Sequence, residues 1–244
     1  MRVPPPVSKF TVKFLPVCHH EHEKILGEKF SSNFHREMKS YYEPFLSKNR
    51  DVQLAKETWE YAVADSMCQG VWQGAGHSSI DVSSGDNVFD VKGLSCRGWG
   101  GLTTEASLLQ SLNSKTDNCQ ELFEQQNYSL IHDMFVDSYR DKISEYKNFY
   151  LFCIFRNHLK NNHTEVHYCL LKPTITLCDS DYVLKSWNSR AVDIPLIDSE
   201  IGKTYVYIPK RRLEIRLNSV GISDYSVYSH TVKPRMFDDF FEVA

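Results

Sequence analysis

Residues 149–156 read FYLFCIFR, an almost uninterrupted apolar run of strand length, and a chain containing such a strand must build layers to cover it. A helical pattern over 130–147 leads into this run, and a second strand pattern, 165–171, follows it. Upstream, Ile25, Phe30, Phe34, Met38 and Tyr41 recur at threes, fours and fives, which predicts one helix from His20 to about Phe45. Leu54, Trp59, Ala62 and Val63 predict another over 52–68. The period then changes to two: 79–82 and 88–94, separated by Ser83, Ser84, Gly85 and Asp86, read as a β-hairpin. The glycine-rich stretch RGWGG at 97–101 leads to a helix predicted from Thr103 or Thr104, threonine-capped, with Ala106, Leu108, Leu109 and Leu112 inward. Segment 9–16 alternates like an edge strand, and 204–208 and 213–217 are short strand candidates. This order predicts an α/β (α+β) fold with a mixed central sheet flanked by helices.

No internal repeat or low-complexity linker divides the 244 residues, and 41% apolar content is ample for one core. The expected organisation is a single domain: a helical part over 1–50, a core over about 50–172, and a β-rich appendage over 175–244. No apolar run approaches the ~20 residues that span a bilayer, and the opening MRVPPPVSKF is too proline-rich and polar for a signal peptide. Seven scattered cysteines without a CxxC pair read as reduced thiols. These features predict a cytoplasmic protein with no membrane partner. A formal net charge of −3 argues against a sequence-blind electrostatic coat for nucleic acid, while leaving room for a localised basic cleft.

The segment 80–92, IDVSSGDNVFDVK, sets Asp81 on the first hairpin strand and Asp90-Val91-Lys92 on the second. Two carboxylates can hold Mg²⁺ against a scissile phosphate, and a nearby ammonium can orient water and offset charge in the transition state. On a strand Asp90 and Lys92 share a face opposite Phe89 and Val91. If Ile80, Val82, Phe89 and Val91 all face the core, Asp81 joins Asp90 and Lys92. The expected way to achieve this is for Val82 to pair with Asn87 across a four-residue loop, or for a bulge to form near Gly85. Acid-x-Lys also occurs at Glu37-Met38-Lys39 and Glu145-Tyr146-Lys147, but only 90–92 falls in a strand pattern preceded by a strand carrying an aspartate.

A helix, the hairpin with Asp81 and Asp90-Val91-Lys92, another helix, the strand 149–156 and the strand 165–171 together resemble the PD-(D/E)xK nuclease superfamily, to which most type II restriction endonucleases belong. The resemblance covers about residues 50–172. It implies that Asp81, Asp90 and the Val91 carbonyl bind Mg²⁺ and that Lys92 helps activate water. It also implies a glutamate on the helix ahead of the hairpin, for which Glu60 and Glu57 are candidates. Ser79-Ile80 stands where the family has proline, and the gap between the two acids is short, which leaves Asp86 as an alternative ligand. The function implied is sequence-specific hydrolysis of double-stranded DNA to 5′-phosphate ends, by a homodimer if the site is palindromic. A structure-specific repair or recombination nuclease and a non-catalytic nucleic-acid-binding domain are the alternatives.

Lys210, Arg211 and Arg212, with Lys203 and Arg216 nearby and Tyr205 and Tyr207 interleaved, are the best candidates for DNA contact, together with Arg97 and Trp99 in the glycine-rich stretch. Gln110 on the following helix and His77 ahead of the hairpin are further candidates for the cleft. The cluster Cys18, His19, His20, His22 and Glu23 lacks the spaced second half of a zinc site and reads as a solvated polar face.

Overall fold

The computed structural model describes residues 8–46, 56–74, 80–96, 103–107, 119–158, 164–179, 182–210, 212–218 and 220–232. Its centre is strand β6 (Asn148–His158), which pairs parallel with β4 (Asn87–Cys96) and antiparallel with β7 (Thr164–Leu177). Inward-facing positions along β6 explain its apolar sequence. Phe149, Leu151, Cys153 and Phe155 enter one core with Ile131, Phe135 and Tyr139 of helix α5 (Tyr128–Glu145). Tyr150, Phe152 and Ile154 enter a second core on the other face, with Phe30, Phe34 and Met38 of α2 (Phe30–Leu46) and Trp59, Ala62 and Val63 of α3 (Lys56–Ser66). The strand is covered twice, so neither face can carry polar side chains.

The main sheet path begins with β1 (Phe10–Pro16) on β7, continues through β6 and β4 to β5 (Thr103–Ser107), and then reaches the late strands β11 (Arg212–Asn218), β10 (Gly202–Tyr207), β9 (Ala191–Asp193) and β8 (Lys185–Asn188). Strand β12 (Ser226–Val232) joins β7, while β2 (Val71–Trp72) and β3 (Val82–Ser84) extend the hairpin side of β4. The fold is therefore a mixed sheet flanked by helices. The late strands share the first core through Val192, Val206, Leu213 and Ile215. Between β5 and β6, α4 (Cys119–Glu124) and α5 supply the crossover that a parallel β4–β6 pair requires.

Three local expectations change. The first predicted helix is broken: α1 (His22–Leu26) ends at Gly27, whose φ of 98° a side chain would strain, and α2 starts afresh. The helix predicted from Thr103 is instead strand β5 over Thr103–Ser107, paired with Ser95 and Cys96 on one side and with β11 on the other. Two adjacent β-branched threonines suit a strand slot that β11 offers from more than a hundred residues away. The cluster around His20 is not uniformly solvated, since His19, His20 and Glu23 are exposed whereas His22 is buried.

Candidate functional site

The hairpin turn decides whether the acids meet. Val82 pairs with Phe89 and Ser84 with Asn87, so the loop is the two-residue turn Gly85-Asp86 and not the expected pairing of Val82 with Asn87. Gly85 takes φ of 56°, the left-handed conformation that such tight hairpins favour. Both registers have the same parity, so the expected convergence survives the correction. Val82, Phe89 and Val91 enter the second core, and Asp90 and Lys92 emerge on the opposite face toward α5. Ile80 departs from the pattern by entering the first core, because the chain bends ahead of β3.

Asp81 sits at that bend, its N–H donating to the Phe89 carbonyl at 2.9 Å. Its carboxylate turns to the edge of β4 that no described strand pairs between Phe89 and Ser95, where Oδ2 accepts the Val91 N–H at 2.7 Å. The Lys92 ammonium contacts Asp90 Oδ1 directly and lies 3.9 Å from Asp81 Oδ2. A cation thus already stands between the two carboxylates. Strand β3 leaves this edge of β4 after Phe89 and β5 joins it only at Ser95, while β6 occupies the other edge throughout. The Val91 N–H points to the open edge, and in a strand the carbonyl of the same residue points the same way.

The site is poorly hydrated: Asp81 is 8% and Asp90 5% exposed. Burial raises the Asp90 carboxyl to about 6; Lys92 opposes the rise, and the charge and hydrogen-bonding contact of Asp81 add to it. Helix α5 contributes two neighbours that sequence reasoning missed. Tyr139 is buried, and its phenol is pushed far up by burial and then by the Asp90 charge. Lys142, one turn further along, is lowered by burial and partly restored by Asp90. The signal was the stripe Ile131, Phe135, Tyr139, Lys142 on a helix that the apolar pattern orients toward the sheet.

The other candidates separate from this centre. Glu60 is buried on α3, where it accepts the Trp72 indole N–H at 2.9 Å; α3 packs on the face opposite Asp90, with Trp59 against Gly93. Glu57 is exposed. Asp86 lies in the turn with its side chain 78% exposed and 3.8 Å from Lys147, facing solvent and not the carboxylates. Among the described residues no group of three or more His, Cys, Asp or Glu side chains converges as a metal centre, so Glu60 does not complete a carboxylate triad with Asp81 and Asp90. Lys210 closes a short 3₁₀ turn, Ile208–Lys210, and Arg212 opens β11, which puts the basic run at the β10–β11 connection. His77, Arg97, Trp99, Gln110 and Arg211 lie outside the described residues.

Neither a family model, nor a curated protein, nor a solved structure matches the chain. No described helix is long and apolar enough to cross a membrane.

Proposed function

We propose that the chain is a Mg²⁺-dependent endonuclease of the PD-(D/E)xK type, which hydrolyses double-stranded DNA at a short specific sequence and leaves 5′-phosphate ends. The observation that carries this reading is the convergence of Asp81, Asp90 and Lys92 where no described strand pairs with that edge of β4, with the Val91 carbonyl directed to the same edge. Mg²⁺ is commonly held by one or two carboxylates and completed by waters and substrate phosphate, so two acids and one carbonyl are a sufficient protein contribution. Asp81, Asp90 and Val91 are the residues that would hold it. Bound there, the ion supplies Lewis-acid polarisation of the phosphate and a more acidic water.

The protein's own groups have separate tasks. Asp81 fixes the Val91 peptide through Oδ2. Lys92 exchanges its contact with Asp90 for one with attacking water or a phosphate oxygen. The low hydration around Asp90 strengthens each of these interactions. Following the registers through Ser95, Glu105 and Arg216, β11 runs parallel to β4, so its basic start lies toward the same end of the sheet as Lys92. That placement suits phosphate contacts beside the scissile bond. Two copies related by a two-fold axis would cut both strands of a palindrome.

The test is incubation of plasmid DNA with the protein and Mg²⁺, with EDTA and the Asp90→Asn variant as controls. Discrete bands that need both the metal and Asp90 are expected. Cleavage confined to branched or mismatched DNA would indicate structure recognition instead. Equal cleavage by parent and variant, or binding without cleavage, would remove the assignment.

A further inference from the structure

Lysine is among the residues least often buried, so one on the inward stripe of a helix calls for a charge to answer it. Helix α5 carries such a stripe: Ile131, Phe135 and Tyr139 enter the first core, and the helical period brings Lys142 next, half-buried. Two contacts fix where along the sheet this position falls. Tyr146 stacks on Phe149 with ring centroids 6.5 Å apart, and Lys147 lies 3.8 Å from Asp86 in the hairpin turn. Tyr146 and Lys147 alone join α5 to β6, so the helix runs back over the strand it precedes. From Tyr146 to Lys142 the helix covers about 6 Å, and from Phe149 to Leu151 the strand covers about the same. Lys142 therefore stands over Leu151, whose partner on β4 is Asp90. A further turn brings Tyr139 to the neighbourhood of Cys153, and Asp90 and Cys153 are the groups whose charges reach its phenol.

The electrostatics agree with this placement. Burial lowers the Lys142 ammonium, and the charges that act on it are, in order, those of Asp90, Lys92 and Asp81, with Glu145 of its own helix last. Lys92 already touches Asp90 and lies 3.9 Å from Asp81, whereas Lys142 makes no ion pair among the described residues. Two ammoniums thus balance two carboxylates in the metal-free centre, and a divalent ion held by the acids would leave two positive charges in excess. Each backbone phosphate carries one negative charge, so the centre has the charge for the scissile phosphate and for one neighbour. Lys92 stands among the acids at the reacting group. Lys142, reaching in from the helix, is the cation left for the neighbour.

We infer that Lys142 is a DNA-binding residue of this centre, gripping a backbone phosphate next to the scissile one. The inference rests on the nuclease reading, and it gives Lys142 the task of holding substrate and not of activating water.

Plasmid cleavage by the parent first maps a cut site, and a duplex containing that site serves as the probe. Its affinity is measured in EDTA, where no cleavage competes, over a range of salt concentrations for the parent, Lys142→Met and Lys142→Arg. Lys142→Met is expected to bind about tenfold more weakly and to flatten the plot of log affinity against log salt by about 0.9, the value of one phosphate contact, while Lys142→Arg keeps the parent's slope. With Mg²⁺ the same loss should appear in KM, with kcat within about threefold of the parent. A helix that is only loosened would lose stability without changing the salt slope. If Lys142→Met does not fold, the ¹⁵Nζ resonance of Lys142 in the unmodified protein decides: DNA should shift it, and an unmoved resonance overturns the inference. An unchanged slope in a folded Lys142→Met that still cuts overturns the inference and leaves the nuclease reading intact; a parent that cuts no DNA overturns both.

Discussion

Two antiparallel pairs in the same sheet each bury a carboxylate, and they treat it in opposite ways. On β10–β11, Glu214 lies directly opposite Tyr205, whose hydroxyl donates to Oε2 at 2.5 Å, and the Arg216 guanidinium stands 5.5 Å from the Tyr205 ring. On the hairpin, Asp81 sits at the bend ahead of β3 beside another acid, Asp90, and the Lys92 ammonium lies near both. The first arrangement matches acceptor with donor. The second gathers like charges in a poorly hydrated place around one ammonium, which raises Asp90 to about 6, an arrangement more suited to taking a further cation than to holding strands together. Burial alone does not separate these two settings; the groups gathered around each acid do.

Substitution breaks this contrast most sharply. Asp90→Asn is predicted to lower Mg²⁺-dependent plasmid cleavage by about a thousandfold or more, the scale on which loss of one directed electrostatic contact acts. Glu214→Gln should leave cleavage within about twofold while lowering stability by roughly 1–3 kcal/mol through the weakened Tyr205 contact. Comparable losses of cleavage in both variants would mean that the two acids do the same job.

The second prediction concerns the metal-free protein and pH. Burial holds the Asp90 carboxyl at about 6 against an ordinary 3.8, so between these values the folded state binds more protons than the unfolded one. Stability must therefore fall as pH rises through this window, by at most about 3 kcal/mol for a shift of about two units. Asp90→Asn should remove that slope and be the more stable protein at pH 7, even while inactive. Urea unfolding at pH 4.5 and pH 7 measures both; a parent that gains stability over this interval relative to the variant reverses the sign and refutes the account.

The part of this contrast that was legible in the sequence is the part set by local period. The run at 149–156 announced a twice-covered strand, and alternation around 80–92 put Asp81, Asp90 and Lys92 on a common side although the turn itself was misplaced. Alternation along β4 sets the face of Asp90 and Lys92 whatever the turn, while Asp81 reaches them from the bend ahead of β3. Strand β5 was not legible, because its pairing of Glu105 with Arg216 is decided far away and TTEAS carries no pattern of its own. Nor were Tyr139 and Lys142, which reach Asp90 only through the docking of α5. His22 shows a further limit: three histidines in four residues look alike in sequence, and the one that turns inward is chosen by the Val17 carbonyl and the Tyr168 ring.

Metal binding sharpens the contrast on a smaller scale. At pH 6 Asp90 is about half protonated, and a divalent ion between the carboxylates favours the ionised form. Binding of Mg²⁺ should release about half a proton at pH 6 and close to none at pH 8, measured by calorimetry in buffers of differing ionisation enthalpy. Glu214→Gln should leave this release unchanged, and Asp90→Asn should abolish it.

The smallest expected effect belongs to Glu60, the acid that the resemblance to restriction endonucleases assigned to the metal and the structure gives to Trp72. In Glu60→Gln the amide oxygen still accepts the indole N–H, so stability should change by less than about 1 kcal/mol. If Trp72 is the carboxylate's main task, cleavage and Mg²⁺ affinity should stay within about threefold of the parent, placing Glu60 with Glu214 among the acids that hold elements together. A loss of Mg²⁺ affinity of tenfold or more would move it to the other group. It would mean that α3 and the hairpin approach each other when DNA and metal are bound, bringing Glu60 to the open edge of β4.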